Sequence, residues 1–212
     1  MILFAVALVA GSLGLRLVHH AHTEVNRPLR ADAGGYFMTA ANLYRFGVYS
    51  RDKAPAPDVA PRTRTTLPPG YPLLLSTMIE SARDQKDFLD SVVFLQALLG
   101  SILPLLVFAL ARCGLPFLPS AAAAIASALS PHLIALEAFV LTEAIFSFLL
   151  TLSVLLFVRA RESGSIALPV AAGLALGLTH LVREVALPLP FLFAALLLLD
   201  RRKAAPDTRR RI

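Results

Sequence analysis

The stretch Ser91 to Ala111, "SVVFLQALLGSILPLLVFALA", holds no charged residue and one amide, Gln96. A helix that crosses a bilayer needs about 20 mostly apolar residues, so this run is long enough to do so. It ends at Arg112, Gly114 and Pro116, a cation followed by two helix breakers. The segment predicts a transmembrane helix, and the same reading extends to both sides of it.

Upstream, Met1 to Val18 is apolar except for Arg16, whose long side chain is expected to snorkel to the interface. No Lys or Arg precedes this run, and more spans follow, which favours a first span over a signal peptide. Downstream, residues 115 to 158 are about twice the length of one span and must turn back once, near Ser130, Pro131, His132 and Glu137. Residues 166 to 199 read as two short helices with a turn at His180, Arg183 and Glu184. The expectation is an all-α, polytopic bundle of about six spans, residues 1–200, followed by a basic tail, 201–212.

Composition agrees: of 212 residues 57% are hydrophobic, and the mean hydropathy is +0.69, as in membrane proteins. The net charge of +6 does not point to nucleic acid. Arg201, Arg202, Lys203, Arg209, Arg210 and Arg211 follow an apolar run, without interleaved aromatics for base stacking. Such a cluster reads as a cytoplasmic anchor beside anionic membrane lipids. With Arg112, Arg159 and Arg161 in short connections on the same side, both termini are expected in the cytoplasm. The single Cys113 forms no internal disulfide and reads as an ordinary helix residue.

The loop from His19 to Asp90 is then the sizeable extramembrane region, facing outward. In it, "ADAGGYFMTAANLYRFGVYS" (31–50) places Tyr36, Phe37, Ala40, Leu43 and Tyr44 on one helical face, with Asp32 at the N-cap position and Gly47 at the stop. On local grounds Asp32 reads as a capping residue. In "TLPPGYPLLL" (66–75), Pro68, Pro69 and Pro72 force extended geometry ahead of a second helix, Leu73 to Arg83. Both are expected as surface helices. At the outward ends of later spans stand Thr142, Glu143 and Arg183; ionisable residues at membrane depth are functional candidates, and an Arg183 to Glu143 pair is one arrangement open to them. His19, His20 and His22 have no companion acid at ligand spacing, and no metal site is assigned.

The order of "DAGGYFMTAANLYRFGVYS", "PPGYPLLLS", "SPHLIALEAFVLTEAIF" and "AGLALGLTHLVRE" resembles the GT-C membrane glycosyltransferases of the dolichyl-phosphate-mannose protein mannosyltransferase type. The bacterial lipid A aminoarabinose transferase and the rhizobial lipopolysaccharide transferases are of the same group. The resemblance implies transfer of a sugar from a polyprenyl-phosphate donor, with inversion, to a lipid, glycan or protein acceptor at the outer face of a bacterial inner membrane. It implies that Asp32 is the general base. Arg62, Arg64, Arg183, Tyr36, Tyr71 and Glu143 are then candidates for binding substrate, the arginines through the lipid phosphate. The resemblance leaves a divalent metal possible, but no site for it is evident here. Two departures stand out. Ala33 occupies a position where many members carry Glu, and members usually run about twice as long, so the chain is expected to correspond to an N-terminal half. A non-catalytic membrane subunit or a remnant of such an enzyme is the competing expectation.

Overall fold

The computed structural model describes residues 1–204 except 65, 164 and 165; side chains from 200 onward are outside the description. The basic residues of the expected tail, 201–212, therefore lie outside the described side chains.

The chain is all-helical: α1 (Ile2–His22), α2 (Asp32–Phe46), α3 (Gly70–Ser81), α4 (Gln85–Ala111), α5 (Phe117–Ala128), α6 (Pro131–Leu136), α7 (Glu143–Glu162), α8 (Ala167–Val182) and α9 (Leu189–Ala204), with a 3₁₀ turn at Glu184–Ala186. Among the described residues only isolated bridges, such as Ser50 to Arg64, stand in for β structure. Four segments are long and apolar enough to cross a membrane: α1, α4, α5 with α6 (Phe117–Leu136), and α7. The remaining two expected spans are shorter apolar helices, Ala167–Val182 and Glu184–Leu199.

Packing follows from residue size. In α5, Ser120, Ala121, Ala124 and Ala128 are buried, and α4 meets this helix with Gly100, Ser101 and Pro104 also buried. Small residues at a spacing of about four let backbones approach closely where no water drives association. The outer faces are apolar instead: on α8, Val170, Leu174, Leu178 and Leu181 are all exposed, as on a face turned to lipid.

α1, α5 with α6, and α8 finish at one end of the bundle, where α4 and α7 begin. That end carries α2 and α3, which pack on one another, with α3 also against α4 and α8. An apolar core lies there, built on Ala33, Ala40, Tyr71, Leu75, Phe88, Val92 and Val140. At the opposite end Phe108 lies 5.0 Å from Phe4 and 5.7 Å from Phe117.

Four local expectations change. Arg16 does not snorkel: it is 0% exposed and turned into the bundle, donating from Nε to Glu137 Oε1 at 3.0 Å. A buried partner outweighs escape to water. Asp32 is the first residue of α2 and not its cap; Ala31 holds the cap position, at φ 55°, with no side-chain cap bond. α3 starts at Gly70, so Pro72 lies within its first turn, where a missing N–H costs nothing. Tyr44, expected on one helical face with Tyr36, Phe37, Ala40 and Leu43, is 49% exposed while those four are at least partly buried. Gly47 does end α2, in the left-handed conformation at φ 65°.

Candidate active site

α2 delivers Asp32 and Tyr36 one turn apart, on the same face of the helix. The chain reaches Asp32 through a strained turn: Arg27 and Ala31 both have positive φ, 59° and 55°, a region that non-glycine residues seldom occupy. Leu29 O lies so close to Gly34 that a Cβ there would come within 2.6 Å of it. Asp32 is exposed, and among the described residues its carboxylate accepts no hydrogen bond.

Tyr36 is half-buried. Its ring meets that of Tyr71 edge to face, with centroids 5.2 Å apart, a favoured aromatic geometry. Its phenol lies beside the Thr142 side chain and within electrostatic reach of Arg183, Asp32 and Glu143. Burial pushes the Tyr36 pKa up, with Thr142 and Arg183 opposing and the two carboxylates adding to the rise. Tyr71 is almost fully buried and its pKa is raised by the same desolvation, with Glu143 and Tyr36 acting in the same sense. Both phenols are therefore neutral donors at physiological pH.

Arg183, directly after α8, donates from Nη1 to Glu143 Oε1 at 3.0 Å, so the expected pair is formed. The guanidinium also stands over the Phe146 ring, 5.5 Å from its centroid. One bond leaves most of the five guanidinium N–H donors open. Glu143 Oε2 is buried and has no donor among the described residues. Beneath, an apolar cavity of about 180 Å³ lies between Tyr71, Leu74, Ile145, Leu149, Leu181 and Val182. Gly70 closes one side: a Cβ there would sit 2.8 Å from Leu181 O.

Below the tyrosines runs a buried polar chain. Tyr71 donates to Gln96 Oε1 at 3.3 Å, and Gln96 Nε2 donates to the carbonyls of Glu137 and Phe139 at 3.0 and 2.8 Å. Those carbonyls belong to the non-helical segment between α6 and α7, where bilayer-level backbone must find partners. Glu137 then meets Arg16, which also donates to Ser12 Oγ and to the Ala128 carbonyl.

Asp32, Tyr36, Tyr71, Glu143 and Arg183 thus share one end of the bundle. Arg62 and Arg64 are both exposed on the loop after α2, where Arg64 contributes its carbonyl to Arg51 N at 3.2 Å. That loop is held to α2 by Asn42, which donates to the carbonyls of Ser50 and Asp52. Sequence reasoning did not assign a role to Thr142, Gln96 or the Arg16 to Glu137 pair. Gln96 carried a signal, as the lone amide in an otherwise apolar span. Among the described residues no three His, Cys, Asp or Glu side chains converge as metal ligands; the donor set does not fit a divalent ion, and no step is assigned to one.

A family model described as dolichyl-phosphate-mannose-protein mannosyltransferase matches residues 67–207. The match takes in Tyr71, Glu143 and Arg183 but begins after Asp32 and Tyr36. No curated protein and no solved structure matches the chain.

Proposed function

The chain belongs to the dolichyl-phosphate-mannose-protein mannosyltransferase family of membrane glycosyltransferases, and from that membership we propose that it transfers a sugar from a polyprenyl-phosphate donor to an acceptor hydroxyl, inverting the anomeric carbon. The observation that supports the proposal is that an unpaired carboxylate, Asp32, and an arginine that keeps free donors, Arg183, both lie within electrostatic reach of the Tyr36 phenol.

The acceptor oxygen forms its bond to the anomeric carbon as the bond from that carbon to the phosphate oxygen breaks, the electron pair leaving with the phosphate. The hydroxyl proton passes to Asp32, whose oxygens are free to take it. Arg183 stabilises the charge growing on the phosphate, with a planar fork suited to two of its oxygens. The half-buried Tyr36 phenol offers a donor to a sugar hydroxyl, while Glu143 holds Arg183 in place. The apolar cavity beneath Arg183 suits the first part of an isoprenoid tail. Arg62 and Arg64 stand on the exposed loop as further cations for a headgroup. The site would face outward, across a bacterial inner membrane.

The test uses the full chain in mild detergent with polyprenyl-phosphate mannose as probe. Native mass spectrometry measures its retention, and release of mannose from the lipid measures turnover. The expectation for Asp32→Asn is unchanged retention with turnover lost. Equal turnover in wild type and Asp32→Asn overturns the base assignment; a wild type that retains no donor overturns the function and supports a non-catalytic subunit.

A further inference from the structure

At the end of the bundle opposite this site, α1 and α7 both pack on α4 and leave a cleft between them. Its volume is about 420 Å³. Ala5 and Ala109 give the cleft its width, and Phe108, anchored against Phe4 and Phe117, forms part of its wall. Two cationic side chains complete the lining, Arg112 after α4 and Arg159 in the last turn of α7. Both are exposed, and no acidic side chain lines the cleft among the described residues. Arg112 spends one donor on the Leu115 carbonyl at 2.6 Å; the Arg159 guanidinium has no partner among the described residues. Each arginine sits at the end of its apolar helix, while the alanines and Phe108 lie further along the helices.

We propose that this cleft is a binding site for one anionic phospholipid, its phosphate between Arg112 and Arg159 and an acyl chain along Ala5, Ala109 and Phe108. A free phosphate would leave the apolar cleft unused, and a zwitterionic lipid would bring its own cation to the arginines. Charge complementarity therefore selects a net anionic head. A second cleft, about 270 Å³ between α1 and α5, shows the contrast: Ser12 is its one polar side chain, and nothing there selects a headgroup. The inference stands independently of glycosyl transfer.

The test is native mass spectrometry of the full chain from micelles doped with dioleoyl phosphatidylglycerol or dioleoyl phosphatidylcholine. Wild type is expected to retain one phosphatidylglycerol and no phosphatidylcholine. Arg112→Gln/Arg159→Gln is expected to lower retention about thirtyfold, each arginine contributing a small electrostatic gain near a charged surface. Ala109→Phe, which fills the cleft and keeps both arginines, is expected to abolish it, while Arg112→Lys/Arg159→Lys retains most of it. The basic residues from 201 to 211 are intact in every variant, so undiminished phosphatidylglycerol in the glutamine variant assigns the lipid elsewhere and overturns the site. Equal retention of phosphatidylcholine by wild type overturns the headgroup selection. Circular dichroism identifies any variant that has failed to fold, and the lysine and Ala109→Phe variants then decide.

Discussion

Arg183 and Glu143 meet at 3.0 Å across forty residues of chain, and the contact ties the end of α8 to the first turn of α7. Because α7 and α8 pack along their lengths, this pair fixes where the guanidinium stands relative to α7. Its side chains remain 41% and 29% exposed, so solvent still reaches the group that is proposed to hold a phosphate.

Arg183→Ala is expected to cost about 1 kcal/mol or less of stability, as for a partly exposed ion pair, while retention of polyprenyl-phosphate mannose falls sharply. Arg183→Lys keeps the charge and loses the fork, so it should recover part of the retention. Thermal unfolding read beside native mass spectrometry separates the two effects. A parallel loss of both would make Arg183 a structural residue.

The Arg16 to Glu137 pair is the opposite case, at 0% and 3% exposure. Removing one partner, as in Glu137→Ala, is expected to cost about 3–5 kcal/mol, since the other charge is left buried alone. Arg16→Met/Glu137→Leu should be less damaging than either single change. Gly100→Ala tests the fit independently, because its new methyl would come within 2.0 Å of Glu137 Oε1 and 2.9 Å of Arg16 Nε. If Gly100→Ala unfolds at the wild-type temperature, the pair does not sit against Gly100 as described.

Gln96→Leu removes the donor to two carbonyls and the acceptor of Tyr71 at once. A cost of about 2–4 kcal/mol is expected, against about 1 kcal/mol for Tyr71→Phe. Chemical denaturation in detergent of both variants gives the comparison; equal costs would mean that the carbonyls find other partners.

Alkaline pH should weaken the fold. Burial raises the pKa of Tyr36 and Tyr71, and that of Tyr49 from 10.0 to about 12. A raised folded pKa means that the unfolded chain loses its protons first, so stability is complete below pH 10 and declines above it, for Tyr49 across the window from 10 to about 12. Tyr49→Phe, which also gives up the bond to the Leu67 carbonyl, should show a shallower decline over that window. An identical slope would place the responsible groups elsewhere.

Ala31→Gly is expected to stabilise the protein by about 1 kcal/mol. Ala31 holds φ 55° and ψ −124°, which glycine adopts without the steric cost that alanine bears. A lower unfolding temperature in the glycine variant would show that Ala31 contributes packing that outweighs its strain.

The bundle was legible because apolar run length is a one-dimensional signal. Break points at Ser130 to Glu137 and at Arg183 announced themselves by polar residues inside greasy stretches, and Gly47 by its freedom at positive φ. The candidate site was partly legible for the same reason: Glu143 and Arg183 stand out against their spans, and their pairing needed only the hairpin of α7 and α8. Direction was not legible. Arg16 near a span end has the composition of a snorkelling residue, and only the arrival of Glu137, distant in sequence, turns it inward. The cap position of Asp32 failed because backbone φ at Ala31 leaves no mark in residue type. Arg62 and Arg64 looked equivalent to Arg183 in charge, yet an exposed loop and a packed helix end give the same cation different surroundings.

The separation of Arg16 from Glu137 by 121 residues also bears on how the protein is made. α1 leaves the ribosome long before α6, so a guanidinium enters the bilayer with no counter-ion yet synthesised. Insertion of an arginine at the centre of a helix costs about 2.5–3.5 kcal/mol and less toward its end, and α1 must carry the cost of Arg16 on its leucines and valines, or wait at the translocon, until α6 is complete. A nascent chain stalled before residue 137 should therefore hold its first helix less firmly in the membrane than one stalled just after it.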